Sequence, residues 1–507
     1  MPTSGKVVII GAGIGGLAAA NILAQAGYEV SVYEKNAGPG GRMGKLEIDG
    51  FTFDTGPSWY LMKDVFEQYF ELFGKKTSDY FKVERLDPAY KVVFDTRDPV
   101  VITGDLEENI RTFETIEPGA GEALKEYIES GELNYKSALR YFLYNNFTRP
   151  HKLARKDIIR SLPSFLPVLT SSLHGYIAKR FKTQELQQIL EYPSVFLGGS
   201  PFAVPALYQL MSYLDFKEGV FYPQSGGMYR IIESLMEIGN ELGVTYHFNS
   251  DVTGISTTGG IATGITIGNE GVAADIVISN ADLHHTEMKL LRPEDRSYPA
   301  TYWNKRTAGP SALLMYLGVK GSLPELEHHT LFFVNAWQKN FDDIYKDKVW
   351  PDNPSLYVSK TTATDRSTAP DGHENIFVLV PLPPGVSHDK ETTEFYTEKY
   401  LEQLEQSSGI HDLRSRIVVK VIRTPQYFSE TFNAWQNTAL GMSHTLRQSA
   451  FFRPSVKSKK IDSLYYVGGG TQPGIGVPMC IISAQLVYKR IANDDSPYRP
   501  DSIRRLV

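Results

Sequence analysis

One cysteine, Cys480, serves a chain of 507 residues, so no intrachain disulfide framework is available and a reducing compartment is expected. Missing too is any sustained basic block. With a formal charge of −6 and 22% charged residues, the chain lacks the cationic footprint of a nucleic-acid partner, and none is expected. The first residues, Met-Pro-Thr-Ser-Gly-Lys, lead straight into a strand-like run without the basic, apolar and cleavage regions of a secretory signal, which gives a cytoplasmic expectation. Neither HExxH nor a CxxC pair occurs, and His284-His285 and His328-His329 lack metal-ligand spacing on one helical face. No metal is therefore expected, and these histidines read as structural or exposed. No GxSxG elbow is present, and no side chain declares itself as catalytic acid or base.

Long apolar runs are scarce as well. Residues 161–178 carry no formal charge but hold Pro163, Pro167 and several hydroxyls. Residues 192–214 are more apolar, yet Pro193, Pro201 and Pro205 with Gly198 and Gly199 leave an unbroken helix of only about ten residues, ~15 Å, against the ~30 Å of a bilayer core. Neither reads as a span. Charge is uneven there: Arg149, Lys152, Arg155, Lys156, Arg160, Lys179, Arg180 and Lys182 stand against Asp157 alone, a local 8 − 1 = +7. Basic residues flanking apolar ones suit a monotopic contact with anionic lipid, or else a solvated helix face.

Hydrophobic residues make up 42% and aromatics 12%, enough to fill the cores of two or three domains. Residues 6–34, KVVIIGAGIGGLAAANILAQAGYEVSVYE, read as strand, glycine turn, helix and second strand. Gly11 permits the tight turn, Gly13 lets backbone approach a pyrophosphate beside Ala12, and Gly16 lets helix pack closely on strand. Glu34, followed by Lys35, lies 34 − 16 = 18 residues past Gly16, near the ~20 expected of the acid that accepts ribose hydroxyls. GPGGRMG follows, with Gly41 and Arg42, whose fork can bond two phosphate oxygens at once. An alternating strand then runs into Gly56-Pro57-Ser58-Trp59. A second GxGxxG is absent; Gly259-Gly260 and Gly264 have the wrong spacing, so one dinucleotide stays bound and no nicotinamide module is evident.

A second glycine-rich turn, GGGTQPGIGVP from Gly468 to Pro478, follows the strand-like LYYV. From the residues alone it is either a helix N-terminus aimed at a bound group or an ordinary strand-to-helix connection.

These motifs, with GVFYPQSGGMYRIIESL, ADIVISNADL and LRQSAFFRP, make the chain resemble the FAD-dependent amine oxidase-like flavoproteins, and within them the bacterial-type carotenoid desaturases. The resemblance covers almost the whole chain. It implies an α/β fold: a Rossmann-type FAD-binding domain discontinuous in sequence (1–85, 222–290, 440–507), a mixed-sheet substrate domain (86–106, 291–439) and a helical, membrane-contacting insert (107–221). It places Gly56, Pro57, Ser58 and Trp59 near the isoalloxazine, the backbone of Val252 at the adenine, and Gly469, Gly470, Gly476 and Val477 at the flavin ring. Gly470 stands where many FAD enzymes carry an acid, which puts carboxylate anchoring of the ribityl chain in doubt.

The implied activity is introduction of C=C bonds into an apolar polyene, by hydride transfer to FAD and proton loss. Electrons would pass to a quinone or oxygen, at the inner face of a membrane. The runs YPSVFLGG, FAVPALYQLMSYL and LLMYLGV fit either a tunnel lining or plain core. DTGPSWYLM differs from the DxGPT form of phytoene desaturases, which favours a late step such as 3,4-desaturation of a hydroxylated carotenoid. Phytoene desaturation proper, polyene cis-trans isomerisation, an amine oxidase-like activity and a non-enzymatic carotenoid carrier are the alternatives.

Overall fold

The first strand, Lys6–Ile10, is a β-branched run buried from Val7 onward, as a parallel strand covered on both faces requires. The helix after it, Ile14–Gln25, is apolar all round: every residue from Ile14 to Leu23 is buried. It lies between the sheet and two further helices, Tyr229–Glu241 and Val477–Ile491, so it has no face to give to water. The computed structural model describes residues 5–148, Val168 and 170–507.

Five strands form an all-parallel sheet in the order Leu464–Tyr466, Ile276–Ser279, Lys6–Ile10, Glu29–Tyr33, Thr245–His247. Three distant parts of the chain thus supply one sheet, and the carboxyl ends of its strands lie along one edge. Beside it, Val252–Thr258, Ile261–Ile267 and Glu270–Ala273 make an antiparallel meander. Its first turn holds Gly259 and Gly260 at φ +58° and +78°, a hairpin use that explains their spacing.

The second large sheet has seven strands, in the order Ile417–Arg423, Ser311–Lys320, His373–Leu382, Leu356–Ser359, His329–Phe333, Tyr90–Phe94, Val100–Ile102. Alternation along Ser311–Lys320 divides its side chains. Leu313, Met315, Leu317 and Val319 enter a core shared with Tyr400, Leu401 and Leu404 of helix Lys390–Ser408, whereas Ala312, Leu314 and Tyr316 face the other way.

Helices Leu106–Ile116, Ala120–Ser137 and Gln184–Glu191 lie between the paired strands Val83–Arg85 and Phe221–Pro223 in sequence. The stretch expected to hold about ten helical residues runs helically without a break from Ala206 to Glu218, because Pro205 starts it and the last proline is behind it. No helix of the described residues is long and apolar enough to cross a membrane. Of the +7 window, Arg149, Lys152, Arg155, Lys156, Asp157 and Arg160 lie outside the described residues; Lys179 and Lys182 are exposed, and Arg180 stacks 3.8 Å over Tyr176.

Asp54 ties these parts together at the end of strand Phe51–Asp54. It accepts hydrogen bonds from Met228 N (3.1 Å), Tyr229 N (3.1 Å) and Tyr222 Oη (2.9 Å), capping helix Tyr229–Glu241 from another segment. Burial outweighs these bonds, with nearby Asp365 adding to it, and pushes its carboxyl up to about 6. That value is above the ~3.9 of an unfolded aspartate, so the stability Asp54 confers is complete below about pH 4 and is lost as pH rises through about 6. The stability of the wild type relative to Asp54→Asn should therefore fall between about pH 4 and 6 and level off above; urea unfolding at a series of pH values checks this, and parallel curves would contradict it.

Candidate functional site

Residues from the parallel sheet, the seven-stranded sheet and the helical stretches between them line one cavity of about 730 Å³ at the carboxyl edge of the parallel sheet. Its floor is the first glycine turn. Gly11 holds φ +96°, and a Cβ on Gly16 would stand 2.2 Å from Gly11 O, so the helix meets the strand as closely as glycine allows. Gly13 is the N-cap and offers no side-chain acceptor, which leaves the first N–H groups of the helix directed at the cavity. Cβ atoms at Gly13 and Gly15 would come within 2.7 Å of the Asn280 amide.

Glu34 is 6% exposed at the end of the second strand; Oε2 accepts from Ala12 N (2.8 Å), and Oε1 from Asn36 N (2.9 Å) and Asn36 Nδ2 (2.7 Å). The acid therefore ties the glycine turn to its strand while bordering the cavity. Lys35 and Val252 border it too, although the Lys35 ammonium donates to Glu430 O at 2.8 Å. The GPGGRMG loop closes over the turn through Gly40 N to Ala12 O (2.9 Å), with Gly41 at φ +56°. Arg42 reaches along the wall, 3.9 Å from Asp282 and 3.4 Å from Thr438 O, and its buried Nε has no partner. A donor left so is what a phosphate or ring oxygen would satisfy. The glycine cradle and this donor fit a dinucleotide.

Gly56 passes so close to Arg42 that a Cβ would lie 2.1 Å from Arg42 O. Beyond Pro57, Ser58 Oγ shares a hydrogen bond with Tyr357 Oη (2.6 Å), which shares another with His329 Nδ1 (2.8 Å). Trp59 stacks on His329 at 4.1 Å. Of the two histidine pairs, His328 and His329 are buried where the strand His329–Phe333 begins, as structural residues, whereas His284 and His285 border the cavity. Burial holds His329 well below the usual imidazole range, so this wall is neutral.

The second glycine turn faces the first. Strand Leu464–Tyr466 and strand Lys6–Ile10 flank Ile276–Ser279, and Asn280, next along that middle strand, reaches both: a Cβ on Gly468 would be 2.9 Å from Asn280 Oδ1, and one on Gly15 3.1 Å from Gly468 Cα. Gly469, Gly470, Gly476 and Val477 all border the cavity, with Gly476 at φ +127° as the N-cap of helix Val477–Ile491. Two buried residues hold the turn from behind. His444 Nε2 accepts from Ile475 N (3.0 Å), so its ring proton is on Nδ1 and is donated to Tyr208 Oη (2.5 Å), which donates on to Ser449 Oγ (3.1 Å). Arg453 Nη2 donates to Gly469 O (2.6 Å) and Nε to Thr471 O (3.2 Å).

Sequence reasoning missed Asn280, His329, Tyr357, His444 and Arg453 as site residues. ISNADL and LRQSAFFRP are where Asn280 and Arg453 could have been found, since each follows or precedes a strand of the parallel sheet. The remaining wall is mostly apolar: Tyr192, Phe196, Leu207, Phe333 and Tyr345 belong to it, with Asn134 and Asn340 among its few polar side chains. Of LLMYLGV, Leu314 alone lines the cavity, because alternation turns its neighbours away or over. At the surface Phe451 borders the cavity while 58% exposed, beside Phe452 at 52% and Leu446 at 47%.

The chain matches the family described as flavin containing amine oxidoreductase over residues 14–491. It is 44% identical over 488 residues to the carotenoid 3,4-desaturase of Haloarcula japonica, which covers 96% of this chain and 98% of that protein. It is 35% identical over 497 residues to the zeta-carotene-forming phytoene desaturase of Myxococcus xanthus, covering 96% and 93%. An oxidoreductase structure from Methanosarcina mazei superposes with a TM-score of 0.60 at 19% identity, over 94% of this chain and 98% of that one. The CLA-producing fatty acid isomerase of P. acnes gives 0.59 at 16%, over 97% and 99%. The structural likeness is one of fold.

Gly474 tests the packing behind the second turn. At φ +145° it lies against His444, whose ring a Cβ would meet at 2.2 Å. Gly474→Ala should cost roughly 1–3 kcal/mol and show as a lowered Tm; an unchanged melting curve would mean the turn yields freely.

Proposed function

The chain belongs to the flavin containing amine oxidoreductase family and is an FAD-dependent carotenoid desaturase, and we propose that it acts at a late step, 3,4-desaturation of a hydroxylated carotenoid. The observation that carries the desaturase reading is the meeting of two glycine turns at Asn280 over a cavity whose remaining wall is mostly apolar. The late step is favoured by DTGPSWYLM and by the name of the Haloarcula relative.

Gly11, Ala12, Gly13, Gly16, Glu34, Lys35, Gly41, Arg42 and Val252 would hold the nucleotide, with Gly56, Pro57, Ser58, Trp59, Gly469, Gly470, Gly476 and Val477 around the ring. The FAD domain would comprise 1–85, 222–290 and 440–507, the substrate domain 86–106 and 291–439, and the intervening 107–221 a lid. When bound, FAD supplies the two-electron acceptor for a hydride from a saturated carbon. The protein's own part is placement and exclusion. The Ser58–Tyr357–His329 chain and the Trp59 stack fix the segment beside the ring site, where a fixed position accounts for several kcal/mol of a barrier. The apolar wall keeps water from the reacting carbons, and the polyene spreads the charge left by the hydride until the adjacent proton departs.

Expression in cells that make phytoene, lycopene or a 1′-hydroxylated carotenoid, with chromatography and mass spectrometry, tests the reading. Loss of two hydrogens with a red-shifted spectrum is expected in the hydroxylated strain; conversion of phytoene instead would reassign the step, and a mass-neutral change would indicate isomerisation.

Peripheral attachment to the inner membrane face, with a membrane quinone or oxygen taking the electrons, completes the proposal. Leu446, Phe451 and Phe452, exposed where the cavity reaches the surface beside exposed Arg447, support a lipid contact there, because a hydrocarbon substrate enters from lipid. Phe451→Ser with Phe452→Ser should cut co-sedimentation with anionic liposomes by about tenfold or more; equal sedimentation would remove this patch from the contact.

A further inference from the structure

Arg453 is 2% exposed, and all three of its nitrogens are used. Nε donates to Thr471 O (3.2 Å), Nη1 to Gln448 O (3.2 Å), and Nη2 to Met442 O (3.2 Å) and Gly469 O (2.6 Å). Every acceptor is a neutral carbonyl. Among the described residues no carboxylate lies within ion-pair distance of it. The titratable side chains that face it are Tyr208, Tyr302 and Cys480, protonated at neutral pH because burial pushes each of them up, and His444, which burial and Arg453 itself keep neutral. Burial also lowers Arg453 itself, to about 10, which leaves it charged. A buried cation without a counter-charge is costly, and proteins keep one where a bound group supplies the opposite sign.

The position of Arg453 says which group. Gly469 O accepts its strongest bond, and Gly469 and Gly470 form the cavity wall in front of it. A cation pulling on that carbonyl polarises the Gly469–Gly470 peptide, so the Gly470 N–H becomes a stronger donor toward the cavity. The N-terminus of helix Val477–Ile491, uncapped by any side chain, adds partial positive charge at the same turn. The other cation near this turn, Arg42 of the first glycine loop, has a carboxylate of its own in Asp282, 3.9 Å away.

We infer that Arg453 is a positioning residue whose charge, carried through the Gly469–Gly470 peptide, offsets the negative charge that the isoalloxazine of FAD gains when it is reduced by two electrons. This rests on the FAD reading above. It assigns to LRQSAFFRP a role in setting how readily the cofactor accepts a hydride.

The test uses FAD-loaded protein as wild type, Arg453→Lys, Arg453→Met and Arg453→Gln, the last keeping hydrogen-bond donors without charge. Reduction potentials are measured by dye equilibration over about pH 6 to 8, and the affinity for oxidised FAD by fluorescence. Arg453→Met and Arg453→Gln should shift the potential downward, with the ratio of reduced to oxidised FAD affinity falling about tenfold or more, while Arg453→Lys stays near wild type. In the wild type, one proton should be taken up per two electrons. An unchanged potential in both neutral variants, an equal fall in Arg453→Lys, or equal losses of oxidised and reduced affinity would overturn the inference. Should no neutral variant fold, uptake of two protons per two electrons by the wild type overturns it alone. A wild type that retains no FAD would instead overturn the parent reading.

Discussion

The side chain of Asn280 fills the space where three parallel strands end together, and the site depends on that contact. On one side it meets Gly13 and Gly15, on the other Gly468, so close that a Cβ at any of the three would approach its amide within 2.9 Å. The spacing is set by the sheet: adjacent strands lie ~4.8 Å apart, and no larger residue fits between turns that leave neighbouring strand ends. Two loops more than four hundred residues apart in sequence become the two ends of one cofactor cradle because a single amide separates them. Arg453 and His444 then brace the second loop from outside, as Gly40 and Glu34 brace the first.

Charge is distributed sharply within this arrangement. Polar donors gather along the sheet edge, where Arg42 and the two helix starts lie. Away from it, the wall is mostly apolar, and burial holds the imidazoles that border the cavity, His284, His285 and His444, below the usual range. A polyene offers no charged group to bind by, so a mostly apolar wall of this kind suits it by shape and by the exclusion of water.

Local features carried much of this in the sequence. The first glycine turn, Glu34 and the second turn are contiguous motifs with fixed spacing; Gly13, Gly15, Gly16, Gly468 and Gly474 are explained by neighbours 2.2 to 2.9 Å from where a Cβ would stand, and Gly11 and Gly476 by φ of +96° and +127°. What was hidden depended on tertiary neighbours. His329 stacks with Trp59, 329 − 59 = 270 residues away, and Tyr357 joins it to Ser58; neither spacing nor composition encodes such a meeting. LLMYLGV reads as a uniform apolar run because its strand is covered on both faces, and only the sheet shows that Leu313 and Leu314 serve different cores. Nothing in the sequence marks Arg453 as buried, since arginine is rarely found inside without a counter-charge.

The parallel sheet is completed only long after its first strand is made. Its outer strand, Leu464–Tyr466, and the helix Val477–Ile491 that covers the first helix lie more than four hundred residues beyond that helix in the chain. Until then Ile14–Leu23, apolar on every side, lacks one of its covers. A nascent chain must therefore carry that exposed helix through translation of more than four hundred residues, which makes this stretch a ready substrate for chaperones and the natural starting point of misassembly. The cofactor cradle is consequently incomplete until the strand Leu464–Tyr466 and the glycine turn after it have joined the sheet.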